Sequence, residues 1–226
     1  MRALRLAFIA ASLLAATAFA SPTDPKPGAE YTVLAAPQGT RAVGKKVEVI
    51  EFFMYHCPFC HAFEPVLEQW VKKQGDNVVF KRIHIPYQGP SDPEAHLFLT
   101  LQAMGKSEAY QGAVFDAVGD IVNRKRSETL TEREILDVAY RLPGIDQATF
   151  MDTWNAFGVK SMLGRLTGIV SNNYKVNSTP TIVVDGKYVT SPGQVSGATR
   201  TRNQQQLFQE TLQVVDALVA KAQKPN

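Results

Sequence analysis

Cysteine is almost missing from this chain: 226 residues contain two, Cys57 and Cys60. A framework of several bridges holding a small core is therefore excluded. An excess of charge is missing too, with 24 Lys and Arg against 21 Asp and Glu. Two of the arginines, Arg2 and Arg5, fall in the first twenty residues. Without that stretch the count is 22 against 21, a net charge of +1. A balance that close offers no basic face for nucleic acid and no acidic tail, so no nucleic-acid partner is expected. No repeat and no low-complexity tract is found. Beyond residue 20 no run is long and apolar enough for a membrane helix. With 45% hydrophobic residues the chain can still bury a core without cross-links.

The first twenty residues read as an export signal. Arg2 and Arg5 form a basic start, Leu6 to Ala16 an apolar centre too short to span a bilayer, and Ala18-Phe19-Ala20 a small-x-small cleavage site before Ser21. Ser21 to Gly28, with three prolines, reads as a flexible lead-in. A short strand is expected over Tyr31 to Ala35. Val47 to Tyr55 is apolar on both alternating faces, the pattern of a central strand covered on both sides. A helix from about Pro58 to Lys73 and a strand over Val78 to Ile85 follow. Some eighty residues of helical pattern come next. Asp92-Pro93 starts one helix, Ser107 another, Thr131-x-x-Glu134 is a capping box, and Asp146 precedes a fourth. The last helix of this block is expected over Val159 to Tyr174. Thr181 to Val184, the turn Asp185-Gly186 and Lys187 to Thr190 form a hairpin. A final helix, about Asn203 to Ala222, lines up Leu207, Phe208, Leu212, Val215, Leu218 and Val219.

The two cysteines lie where the central strand runs into its helix, in His56-Cys57-Pro58-Phe59-Cys60-His61. A bridge between residues so close would add little stability, because the loop it closes is tiny. Reversible opening and closing is the better use. The attacking species in disulfide exchange is the thiolate, and a free cysteine is only about 3% ionised at pH 7. At a helix N-terminus Cys57 meets unpaired N–H groups and the positive end of the helix dipole, a setting that lowers a C-x-x-C pKa to roughly 3.5–7.5. Pro58 suits the first helical position, and Cys60, one turn on, faces back as the resolving thiol.

Glu51-Phe-Phe, then Cys57-Pro-x-Cys60, then Phe63-Glu64, with Val176-Asn-Ser-Thr179-Pro180-Thr181 downstream, resembles the DsbA family of periplasmic thiol-disulfide oxidoreductases. The resemblance covers essentially the whole chain after residue 20. It implies an α/β thioredoxin fold with an inserted helical domain: 21–90 and 175–226 as the thioredoxin part and 91–174 as the insertion. It further implies Cys57 as nucleophile, Cys60 as resolving cysteine, and Pro180, with Thr179, as a cis-proline element shaping a peptide groove. Glu51 matches a buried acid under the site. Its otherwise apolar face gives independent reason to expect a raised pKa and proton exchange with Cys60. Glu64 matches a second family acid, or is a solvated helix glutamate. Pro58 and Phe59 are expected at the substrate contact. The expected function is donation of the Cys57–Cys60 disulfide to folding exported proteins by a monomer, with a DsbB-type, quinone-linked membrane oxidase to restore it. No metal and no cofactor beyond the disulfide itself is implied.

One position departs from the family's best-known members, which carry histidine where this chain has Phe59. Losing a charged hydrogen bond to the thiolate is worth about 1.5–3 kcal/mol, about 30–65 mV, so a less extreme oxidant is expected. His56 is either a partial substitute or a surface histidine without a role. His84 and His96 are expected at the surface or partly buried. A reductase or isomerase on the same fold is the alternative direction. Cys57-x-x-Cys60-His61 also spells a c-type haem attachment signature, with Met54, Met104, Met151 or Met162 as a second ligand. Zinc could draw on the cysteines with His56, His61 or His84, although no second ligand pair is present. The strand leading into the motif and the Thr-Pro strand downstream both favour thiol chemistry.

Overall fold

The computed structural model describes residues 21–224; the export signal and its cleavage site lie outside them. Five strands form one mixed sheet in the order β1-β5-β4-β2-β3. At its centre is β2 (Val47–Phe53), buried along its whole length. It runs parallel to β3 (Val78–His84) and antiparallel to β4 (Thr181–Val184). The hairpin partner β5 (Tyr188–Thr190) carries the two-residue β1 (Thr32–Val33) at the sheet edge.

Alternation along β2 decides what covers each face. Val47 and Val49 meet Phe63, Leu67 and Trp70 of α1 (Pro58–Gln74) and the expected apolar stripe of α8 (Gln204–Ala222). Ile50 and Phe52 point the other way, to Val170, Tyr174 and Val176. Between β3 and β4 the chain makes α2 (Pro93–Ala103), α3 (Ser107–Lys125), α4 (Glu132–Arg141), α5 (Gln147–Trp154) and α6 (Phe157–Gly168). Asp92, Thr131 and Asp146 cap α2, α4 and α5 as their sequence positions require. Helix α2 is buried from Pro93 to Leu101 and forms the middle of this block. The block's core continues into the sheet through Phe53 and into the turn after it through Tyr55.

Three expectations need correction. The central strand stops at Phe53, so Tyr55 and His56 lie in the turn before α1 rather than on the strand. The last helix of the block ends at Gly168 and passes into a π-helical turn, Ile169–Asn173, instead of running on to Tyr174. A short helix, α7 (Pro192–Thr199), was not expected at all. Gly193 and Gly197 weaken its pattern, and the usable signal was the cap: Ser191 Oγ accepts the Gln194 N–H at 3.1 Å, with Pro192 in the first turn.

The Asp185-Gly186 turn has both residues at positive φ, 54° and 59°, the backbone that a tight hairpin demands. A Cβ at Gly186 would overlap the Gln38 carbonyl. Gly186→Ala is therefore expected to cost about 2 kcal/mol or more, combining the left-handed backbone penalty with the clash. A urea titration checks this, and a loss under about 0.5 kcal/mol would contradict it.

Candidate active site

Cys57 is the N-cap of α1, with φ −80° and ψ 107°, and Pro58 takes the first helical position. Its sulfur accepts the Cys60 N–H at 3.2 Å, one of the donors that a helix start leaves unpaired. Across from it the Thr179–Pro180 peptide is cis, and the Cys57 thiol lies 3.8 Å from the Thr179 carbonyl oxygen. Both cysteines are free thiols; Cys57 is 8% exposed and Cys60 fully buried. Their acidities are driven apart. The hydrogen bond from the Cys60 side chain, with further ones from the backbone N–H groups of Cys60 and Phe59, brings Cys57 from 9.0 down to about 6 although burial opposes it. Burial, and then the neighbouring Cys57 sulfur, push the Cys60 thiol far up. One sulfur is built to be an anion and the other to stay protonated.

A groove of about 460 Å³ opens beside this pair, and Phe59, Thr179, Pro180, Ser191, Pro192 and Leu207 are among its lining residues. Phe59 packs edge-on against Phe208 with ring centres 5.0 Å apart. Where a histidine would offer a charged donor, this side chain offers an apolar wall. Pro58 is exposed at the mouth of the turn.

Beneath the thiols lies a charge cluster only half visible in the sequence. Glu51 and Arg82 stand opposite each other in the β2–β3 register, and Arg82 Nε donates to Glu51 Oε2 at 3.0 Å. Arg82 Nη2 donates to Glu64 Oε1 at 2.5 Å, and Nη1 to a Glu108 oxygen from α3. Glu64 is 3% exposed, so the alternative of a solvated helix glutamate falls away. Three carboxylates share one guanidinium. Burial raises Glu51 from 4.5 to about 7 against the pull of Arg82. Burial, followed by the Glu51 charge, raises Glu64 from 4.5 to about 8. Glu51 Oε1 and Glu64 Oε2 are buried without a partner, which leaves each group a place for a proton. Arg82 was missed by sequence reasoning. The available signal was a basic residue sharing a strand face with Val78 and Phe80.

The histidines differ from expectation. His56 is not at the surface but 5% exposed, with Nδ1 2.8 Å from Glu94 Oε1 rather than against the sulfur. His84 is fully buried and accepts the Tyr55 N–H at 3.2 Å. His96 stacks on Trp154 at 3.5 Å between ring centres. His61 lies parallel to Phe115 and 3.0 Å from Asp116. Among the described residues no group of three or more His, Cys, Asp or Glu side chains is arranged to hold a metal ion.

A dithiol at a strand-to-helix junction, facing a cis-proline on a sheet of this order, defines a thioredoxin-fold protein equipped for thiol–disulfide exchange. Known proteins agree. The family model described as Thioredoxin matches residues 38–212. The thiol:disulfide interchange protein DsbA of Burkholderia cepacia is 36% identical over 211 residues, covering 93% of this chain and 92% of that protein. That of Pseudomonas syringae pv. tomato is 33% identical, covering 96% of each. The crystal structure of Pseudomonas aeruginosa DsbA superposes with a TM-score of 0.70 at 31% identity, covering 86% of this chain and 93% of that one. The chain belongs to the DsbA family of thiol:disulfide interchange proteins, thioredoxin folds with an inserted helical domain.

The two thiols should separate in a pH titration followed by thiolate absorbance. One ionisation is expected near pH 6, abolished by Cys57→Ser, with Cys60 still protonated well above that point. The linked stability has a definite sign. Because the folded pKa of Cys57 lies below its unfolded value, the reduced protein gains stability that is complete above about pH 9 and lost as pH falls towards 6. Glu51 and Glu64, raised to about 7 and about 8, act in the opposite direction, stabilising at low pH and losing that contribution as pH rises through those values. The difference between reduced wild type and Cys57→Ser isolates the cysteine. A single midpoint near 8.5 would contradict the site as described.

Proposed function

We propose that the protein donates its Cys57–Cys60 disulfide to newly exported proteins. The observation that carries this reading is the opposed acidity of two thiols one helical turn apart. A substrate thiolate attacks the Cys57 sulfur, which is 8% exposed where Cys60 is fully buried. The Cys57–Cys60 bond breaks, its electron pair leaves on Cys60, and that sulfur takes up a proton. A second substrate thiolate then attacks the substrate sulfur of the mixed disulfide and expels Cys57 as a stable thiolate. Two electrons have passed from substrate to enzyme, and the substrate's second proton goes to solvent. A low pKa makes Cys57 a good leaving group in this last step.

Glu51 serves as the acid and base for Cys60. Its charge acts on that thiol, its own pKa lies near 7, and one of its oxygens is free. Glu64 and Arg82 set how readily Glu51 holds the proton. Thr179, Pro180, Pro58 and Phe59 form the contact for an extended peptide beside the sulfur. Residues 21–90 with 175–226 act as the thioredoxin unit and 91–174 as the insertion. The setting is the periplasm, reached by removal of residues 1–20 after Ala20. The working form is a monomer, re-oxidised by a DsbB-type membrane partner linked to quinone, with no cofactor beyond the disulfide.

Two measurements test this reading. Cys60→Ser whose Cys57 has first been joined by a disulfide to a small aromatic thiol should, with a reduced unfolded protein, expel that thiol and accumulate the mixed disulfide; Cys57→Ser treated in the same way should form none. Equilibration with glutathione should give a potential about 30–65 mV below the value of about −120 mV at the oxidising end of the range for such proteins. A value near about −230 to −270 mV would make the protein a reductase instead.

A further inference from the structure

The turn that delivers Cys57 is short of backbone partners. The ladder pairs of β2 end at Phe53, yet Tyr55, His56 and Cys57 are all buried. A buried N–H without an acceptor is costly, so each of these needs one. Cys57 N–H reaches the Met54 carbonyl at 3.2 Å. The other two go to side chains. Tyr55 N–H donates to His84 Nε2 at 3.2 Å, and His56 N–H donates to Glu94 Oε2 at 3.1 Å. Glu94 holds His56 a second time, by Oε1 to the Nδ1 of its ring at 2.8 Å.

Glu94 is the second residue of α2 and 1% exposed, so it reaches the redox turn from the helical block. Burial would raise its pKa, but the hydrogen bond from His56, with His84 close by, keeps it at about 2 and the carboxylate stays charged. His84 Nε2, turned to the Tyr55 N–H, lies 3.6 Å from Glu94, beyond hydrogen-bond reach. The Tyr87 ring covers His56 on another side at 4.9 Å, and the charges of Asp92 and Glu128 also act on it. Nothing in the exchange chemistry uses Glu94, and its two oxygens are spent on the residue immediately before the nucleophile.

We propose that Glu94 is a positioning residue for the redox cysteine: by gripping both the backbone and the ring of His56, it sets where the Cys57 sulfur sits at the start of α1. This rests on the reading of Cys57 as the nucleophile. Hydrogen bonds from the helix N-terminus to the sulfur weaken steeply with distance and angle. Freed from Glu94, the turn drifts and the sulfur loses donors, so Cys57 becomes less acidic. A merely electrostatic role has the opposite sign. Removing a nearby negative charge would make Cys57 more acidic, not less.

The test is Glu94→Gln and Glu94→Asp in the otherwise unchanged protein. Gln removes the charge and one acceptor but keeps the shape; Asp keeps the charge and withdraws it by one methylene. Both should raise the Cys57 midpoint from about 6 by about one pH unit, a tenfold loss of acidity. The His56 amide should exchange its hydrogen roughly tenfold faster, while the Tyr55 amide, held by His84, keeps its rate. Thermal unfolding establishes that each variant is folded at the temperature of the titration, and Glu94→Asp alone decides if Glu94→Gln is not. An unchanged or lowered Cys57 midpoint in a folded variant would overturn the proposal. A wild-type Cys57 that titrates near pH 8.5 would overturn it together with the reading of the nucleophile beneath it.

Discussion

Burial and ionisation make opposite demands on Cys57, and the N–H groups at the start of α1 settle them. A sulfur that is 8% exposed loses most of its solvation, which by itself favours the neutral thiol. Donors at the helix start more than replace the lost water, and the group ends more acidic than a free cysteine. That balance holds only while the helix start stays in place. Phe63, Leu67 and Trp70 bind α1 to the sheet, and the cross-strand contacts of β2 hold the residues that lead into it.

Under the sulfur pair the same competition is resolved in the other direction. Glu51 and Glu64 are as buried as Cys57 but share a single guanidinium with Glu108, so their negative charge is incompletely matched. The result is two carboxyl groups that titrate near neutrality rather than near 4.5. An ion pair in one-to-one balance would have held both fully ionised and useless as proton carriers. An excess of acid over base is therefore what gives this cluster chemical capacity. Cross-strand register makes the arrangement cheap to build, because Glu51 and Arg82 fall opposite each other with no loop between them.

Much of this was legible in the order of the residues, and the exceptions share a cause. The capping residues Asp92, Thr131 and Asp146, the apolar stripe of α8 and the two-sided strand β2 all declare themselves through local pattern, and the structure agrees with them. Cys57 and Cys60 stand out by rarity and spacing. Arg82, Glu94 and Glu108 did not, because each acquires its meaning from a partner 18 to 38 residues away in sequence, as Glu94 does from His56. His56 was misplaced for a related reason. The period-two alternation was extended past Phe53, where the strand had already ended and facing no longer follows parity. Helix α7 was lost because two glycines in eight residues erase the pattern that a longer helix would keep.

The wall of the groove beside Cys57 has one further consequence. Ser178, Thr179, Ser191 and Ser196 contribute short side chains, set against the apolar patch of Phe59, Pro180 and Leu207. Apart from Arg202 and Gln204 such a wall offers little with which to tell one amino acid from another, and a loose apolar contact rewards many residues almost equally. A peptide bound there as proposed would need a stretch of main chain thin enough to lie flat in the channel. If substrates bind here as proposed, discrimination becomes a matter of access: a cysteine still in loose chain would enter, and one already folded into a domain would be turned away by its own bulk.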